Sequence, residues 1–391
     1  MFGDLLRLLK TDSPLQWDLA LQLAQTVAAE GDPAPNADPV DRIRLDELIT
    51  VAELHVADVT GMTTTPTGRP LTIVTVGRAE WARRSLEGWR GVIEAVAAAL
   101  TPPPSPTAPT EVLPDQDGEG DLSAFLGQWT TAVAPAMLAM QVGSVVGHLA
   151  QRALGQYELP LPRRSDGELL VAPANLRSFA DDWSLPLDDL MLWCCVHDVA
   201  VHAVLTRPHV RERLERLVVE QAAGFRPDPK ILEERLGDAA AGGIGSDLSE
   251  LTKLLGDPTA FGELEDTPEM RRIRNELAGL VSVITGYAEW VTDTVASRSI
   301  GARGTIREAT RRRRMERGDD ERSADSLFGI HLDQETVDRG EAFVRGVVER
   351  GGDSELAKLF VIEANLPTPA EVDAPGLWIE RVNLPELPRA E

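Results

Sequence analysis

The chain has 391 residues, 43% hydrophobic and 26% charged, the proportions of a globular protein large enough to bury a substantial core. A formal net charge of −24 argues against a general nucleic-acid binder or a protein that adsorbs to anionic membranes, because both need basic surface. The only cysteines, Cys194 and Cys195, are adjacent and poorly placed to bridge, so a reducing cytoplasm is the expected compartment.

The first residues, Met1 to Arg7, lack a basic stretch followed by an apolar run, so no signal peptide is expected. Residues 15–30 and 40–60 read as helices, the second with Leu45, Leu48, Ile49, Ala52 and Val56 on one face. Three prolines between Gly31 and Pro39 mark a loop. Leu71 to Val76 is rich in β-branched residues and predicts a short strand, followed by one helix from about 79 to 100. Residues 101–121 are rich in proline and acids and carry little apolar surface, which predicts a flexible linker.

Leu122 to Gln151 contains no charged residue, but its small residues, Pro135 and His148 fit a buried core helix better than a membrane span. Gly143 and Gly147 within it suit close helix packing. An irregular connection follows at 156–162, then a strand at Leu169–Ala172 and helices at 174–182, 185–205 and 209–223. Gly237 to Ser246 is a breaker, and 267–296 is a long helix with Pro268 near its start. Arg311 to Arg314 reads as a solvated helix end. Helices near 334–350 and 354–364 and a Pro-rich end complete a chain that is mainly α with a small β component. The organisation expected is a helical N-terminal part over 1–100, the linker, and a core over 122–391.

The chemistry rests on Val196-His197-Asp198-Val199-Ala200-Val201-His202. The motif H-E-x-x-H sets two zinc-binding histidines one helical turn apart, with the glutamate as general base. Here Asp198 takes the glutamate position and Val201 the second histidine position; His202 comes one residue late. At about 100° per residue, positions 197 and 201 share a face, whereas 197 and 202 point about 140° apart. Ligands at about 2.0–2.3 Å from one ion cannot be reached that way from a regular helix. The shorter Asp198 side chain sits about 1.5 Å further from a bound water, a displacement that can cost on the order of 100-fold in rate.

Several segments, in order, are similar to a bacterial family of zincin-like metallopeptidases. They are Val51-Ala52-Glu53-Leu54-His55-Val56, Thr60-Gly61, Arg78-Ala79-Glu80-Trp81, Leu154-Gly155-Gln156-Tyr157, Trp193 before His197, Gly286-Tyr287-Ala288-Glu289, Asn365-Leu366-Pro367-Thr368 and Trp378. The resemblance implies a zincin-like, mainly helical fold and a zinc-dependent hydrolase; some members are described as associated with deazaflavin coenzyme biosynthesis. It places His197 at the first ligand, Asp198 at the general base, Val201 at the second ligand and Thr285 at the third. Asp333, Thr336 and Val337 stand where relatives often carry Lys and Gln-Tyr.

The expectation is therefore a degenerate zincin, a pseudo-peptidase that acts through binding, with Asp198 as the vestigial base position. The alternative is an active zinc peptidase with a rearranged site, drawing on His197 and His202. A third reading recruits Cys194 with His197, or Cys195 with His202, as metal ligands; against it, both cysteines suit plain burial. Glu289 and Asp293, one turn apart, either face His197 or form a polar pair elsewhere. A peptide or protein partner is expected in a groove beside the site helix, along the strand near Leu169–Ala172.

Overall fold

The structure, a computed structural model, describes residues 15–30, 38–65, 67–100, 119–163, 167–224, 267–316 and 327–384, without the side chains of 119–134. The expected linker, apart from its last three residues, lies outside these, as do most of the 31–39 loop and the breaker at 237–246.

The N-terminal helices are α1 (Trp17–Ala28) and α2 (Pro39–Thr60). α2 starts at Pro39 because Asp38 caps it, accepting a hydrogen bond from the Val40 N–H, and stops at Gly61 in the left-handed conformation. Leu45, Ile49, Ala52 and Val56 face inward, four of the five residues predicted for that stripe. Strand β1 (Thr72–Thr75) pairs in parallel with β2 (Glu168–Val171), Ile73 opposite Leu169. This two-stranded sheet is the whole β component among the described residues.

Between the strands lie α3 (Arg78–Gly88), α4 (Arg90–Leu100) and α5 (Glu119–Arg152). The single helix expected over 79–100 is broken at Trp89, whose fully buried indole packs edge-on against Trp81. On a straight helix positions 81 and 89 would be about 12 Å apart along the axis; the break lets the two rings meet edge to face. α5 lies along α1 at Gly143 and Gly147, where any Cβ would come within 2.6 Å of Ala20 O and Val27 Cβ.

After β2 come α6 (Pro173–Trp183), α7 (Leu187–Leu205), α8 (Pro208–Ala223), α9 (Pro268–Ser299), α10 (Arg303–Met315) and α11 (Gln334–Gly351). α7 carries the histidines. It is apolar on nearly all sides and buried over Leu190–Val196 and Asp198–Leu205, as a central helix must be. It packs against α2, α6, α8 and α9. α9 lies against α11 at Gly286, whose missing side chain leaves room for the Gly340 backbone. Among the described residues no single helix is long and apolar enough to cross a membrane.

The C-terminal segment departs from expectation. The helix predicted for 354–364 shrinks to one turn, α12 (Asp353–Leu356), and a 3₁₀ turn at Glu363–Asn365. The Pro-rich end instead holds α13 (Pro369–Asp373) and α14 (Pro375–Asn383), each begun by a proline in its first turn. A capping box between Thr368 and Glu371 fixes α13, and Trp378 of α14 is fully buried against Phe343. One continuous apolar core runs from Leu15 to Trp378.

Candidate functional site

His197 faces a cavity of about 140 Å³ walled by α7, α9, α10 and the connection after α5. Trp193, Asp198 and Val201 line it from α7, Thr285 and Glu289 from α9, Arg313 and Arg314 from α10. His197, Asp198, Val201 and Thr285, the residues the resemblance assigns to chemistry, are thus brought together. His202 is not. It is buried on another face of α7, where its Nδ1 lies 2.8 Å from the Tyr157 hydroxyl. Burial pushes the His202 pKa down to about 4, so the ring is neutral and Nδ1 can accept the tyrosine proton.

Asp198 is 3% exposed and committed to the chain beside it. Its Oδ2 accepts the Gln156 N–H at 2.5 Å, and its Oδ1 lies 3.5 Å from His197 Nδ1. The neighbouring segment is fastened throughout. Trp81 Nε1 donates to Gly155 O at 2.8 Å, Ala172 N to Leu154 O at 3.0 Å, and Leu170 N to Gln156 Oε1 at 3.2 Å. Gly155 passes so close that a Cβ there would lie 2.1 Å from Asp198 Oδ2. The carboxylate at the general-base position therefore anchors the connection to α7, spending an oxygen that a base would offer to water. Two of these hydrogen bonds take up the N–H groups of Leu170 and Ala172, along the strand where the peptide path was expected.

Thr285 does not present its hydroxyl to the cavity as a ligand; it donates back to Val281 O at 2.9 Å and lies 3.2 Å from Ser282 O. One turn on, Glu289 is 3% exposed and paired with the Arg314 guanidinium. Burial alone would raise the Glu289 pKa, but the charges of Arg314 and His197 and the Arg314 hydrogen bond hold it below the ordinary value. Burial likewise opposes the charged form of His197. Its hydrogen bond to Asp198 and the charges of Glu289 and Asp198 outweigh that, and the imidazole pKa stands above the ordinary value. His197, Asp198, Glu289 and Arg314 form one coupled charge cluster. Asp293 is elsewhere, 2.6 Å from Arg307, so the two acids one turn apart are separated in role.

The four arginines are not one solvated helix end. Arg314 enters the cavity; Arg313 bonds Arg152 O at 2.5 Å and Glu158 at 3.1 Å and lies over Phe179. Arg312 pairs with Glu308 beside Trp183, and Arg311 turns to a second cleft. A run of arginine signals an acidic counterpart only if that counterpart is buried nearby, which the run itself does not record.

Both cysteines are buried, and burial raises their thiol pKa values, Cys194 well above the ordinary range. Cys194 touches the cavity wall; Cys195 does not. His55, His148 and His331 stay out of that wall. Among the described residues no three His, Cys, Asp or Glu side chains converge as a metal site. A zinc hydrolase needs three protein ligands, an open position and a base. The donor set here is one imidazole, a carboxylate tied to a backbone N–H and a carboxylate tied to an arginine, which does not fit that requirement.

A family model described as zincin-like metallopeptidase matches residues 15–379. The chain also resembles a crystal structure described as "a putative hydrolase with a novel fold" from Chloroflexus aurantiacus. The TM-score is 0.65 at 22% identity, covering 95% of this chain and 99% of that one, a likeness that speaks for the fold alone. No curated protein matches the chain. The match across nearly its whole length makes this chain a member of the zincin-like metallopeptidase family.

Proposed function

We propose that this protein is a zincin-fold pseudo-peptidase: it binds a peptide or protein segment in the cavity over His197 and does not cleave it. One observation carries the reading. The two positions beside His197 that a zinc site would use present a valine and a hydroxyl turned onto its own helix, while Asp198 is spent on the Gln156 N–H. Trp193, Leu190, Leu332 and Val337 give part of the cavity wall an apolar lining that suits an apolar side chain. An active hydrolase with a rearranged site is the second reading. It is favoured by the proximity of His197 to two carboxylates, Asp198 and Glu289.

Metal analysis of protein purified without chelator separates the two. The pseudo-peptidase reading expects no stoichiometric zinc and the same melting temperature with and without chelator. One zinc per chain, lost in His197→Ala, would overturn it. Restoring the family's ligand set with Asp198→Glu, Val201→His and Thr285→Glu together is expected to create zinc affinity that the parent lacks.

A further inference from the structure

A second cleft, of about 420 Å³, lies against the His197 cavity and shares Glu289 and Arg314 with it as a common wall. α10 and α11 line it, and its charges are unevenly committed. Arg307 is bound on both sides, 2.6 Å from Asp293 and 2.7 Å from Glu341. Glu308 pairs with Arg312. Asp338 already accepts from Gln334 Nε2 at 2.7 Å, and Arg311 reaches it only at 3.6 Å. Arg345 has no ion pair or hydrogen bond among the described residues, and the buried Gln334 Oε1 accepts none. What remains open is a guanidinium fork and most of a second one, with the unpaired Gln334 Oε1 buried in the wall of the same cleft.

A carboxylate takes two parallel hydrogen bonds from such a fork, and a peptide bearing that carboxylate supplies N–H groups beside it. A volume of about 420 Å³ has room for an acidic side chain together with part of the backbone that carries it. Long-range repulsion from a chain of charge −24 opposes any acidic ligand, but at physiological salt it is screened beyond about 8 Å, so the local arginines decide. We propose that the cleft is a carboxylate subsite: it holds an Asp or Glu side chain of a bound peptide whose neighbouring apolar side chain enters the His197 cavity. This rests on the peptide-binding reading above and specifies which peptides satisfy it.

Fluorescence anisotropy with two dye-labelled, C-terminally amidated peptide pools tests it. Both have randomised, non-acidic flanks; one is centred on Leu-Glu, the other on Leu-Gln. At 0.15 M salt the Leu-Glu pool is expected to bind about tenfold tighter, the scale of one charge-assisted hydrogen-bonded contact. Arg311→Gln with Arg345→Gln is expected to cut that preference to below about twofold. Both residues are exposed, so the fold and the binding of the Leu-Gln pool should persist, checked by the melting temperature. Equal binding of the two pools overturns the subsite and leaves the peptide reading standing, whereas binding of neither overturns both. A preference that survives the double substitution places acid recognition elsewhere. Matching affinity from a Leu-Gln pool with a free C-terminal carboxylate assigns the cleft to chain ends and refutes the side-chain form.

Discussion

Arg314→Met tests the charge cluster most directly, because it removes the cation and keeps much of the side chain's length. Glu289 would be left 3% exposed, with His197 and, more weakly, Arg307 as its remaining neighbours of opposite charge. Breaking one side of a buried ion pair costs about 3–5 kcal/mol, and a guanidinium whose side chain is 23% exposed belongs at the lower end of that range. Unfolding entropy of about 2 cal/mol/K per residue gives roughly 0.6–0.8 kcal/mol/K for the ordered part of this chain. The expected fall in melting temperature at pH 7 is therefore about 4–6 °C, read by calorimetry or circular dichroism.

The pH dependence adds a sign. In the parent, Glu289 has a folded pKa below its unfolded value. It stabilises the fold above the unfolded carboxylate range, and that contribution is lost as pH falls through the folded pKa. In Arg314→Met, burial dominates and Glu289 takes up a proton more readily folded than unfolded, so the deficit should shrink on moving from pH 7 to about 5. Adding Glu289→Leu should bring stability back near the parent, since a buried pair replaced whole by apolar groups is often neutral. A fall below 1 °C, or a deficit that grows on acidification, would refute the coupling.

The two histidines should titrate with opposite effect. His202, at about 4 folded against about 6.5 unfolded, contributes stability that is present above pH 6.5 and drains away as pH falls towards 4, about 3 kcal/mol in total. His202→Gln should flatten that loss in urea titrations between pH 6.5 and 4. An unchanged slope would count against the buried neutral ring. His197, held above its ordinary value, contributes stability below pH 6.5 that is lost as pH rises through its folded pKa, and His197→Gln should remove this alkaline-side decline. Gly155→Ala should cost about 2–3 kcal/mol by pushing Asp198 off the Gln156 N–H, measured by denaturant unfolding. If the clash with Asp198 is the cause, the penalty should drop sharply in an Asp198→Ala background.

Much of the helical plan was legible from apolar spacing and breakers: the site helix at 185–205 is seen at Leu187–Leu205, and the long one at 267–296 at Pro268–Ser299. Both strands fell within about a residue of β1 and β2. The break at Trp89 was hidden because tryptophan is compatible with a helix, and its edge-on contact with Trp81 is made only in the folded core. The short helices after Pro369 were hidden because a Pro-rich end resembles a loop until Thr368 and Glu371 close a capping box and Trp378 finds the core.

At the site, the divergence of His197 and His202 follows from the sequence alone, because helical rotation depends on spacing and on nothing else. The family likewise rests on the order of motifs along the chain. What Asp198 does was open until folding brought Gln156 within 2.5 Å of it, from 42 residues away. Glu289 became the acid of the site because Arg314, on a different helix, stabilises its charge against the cost of burial. Periodicity within an element is local and can be read residue by residue. The charge state and role of a buried group depend on what long-range packing sets beside it in a low-dielectric interior, and no spacing within one helix encodes that.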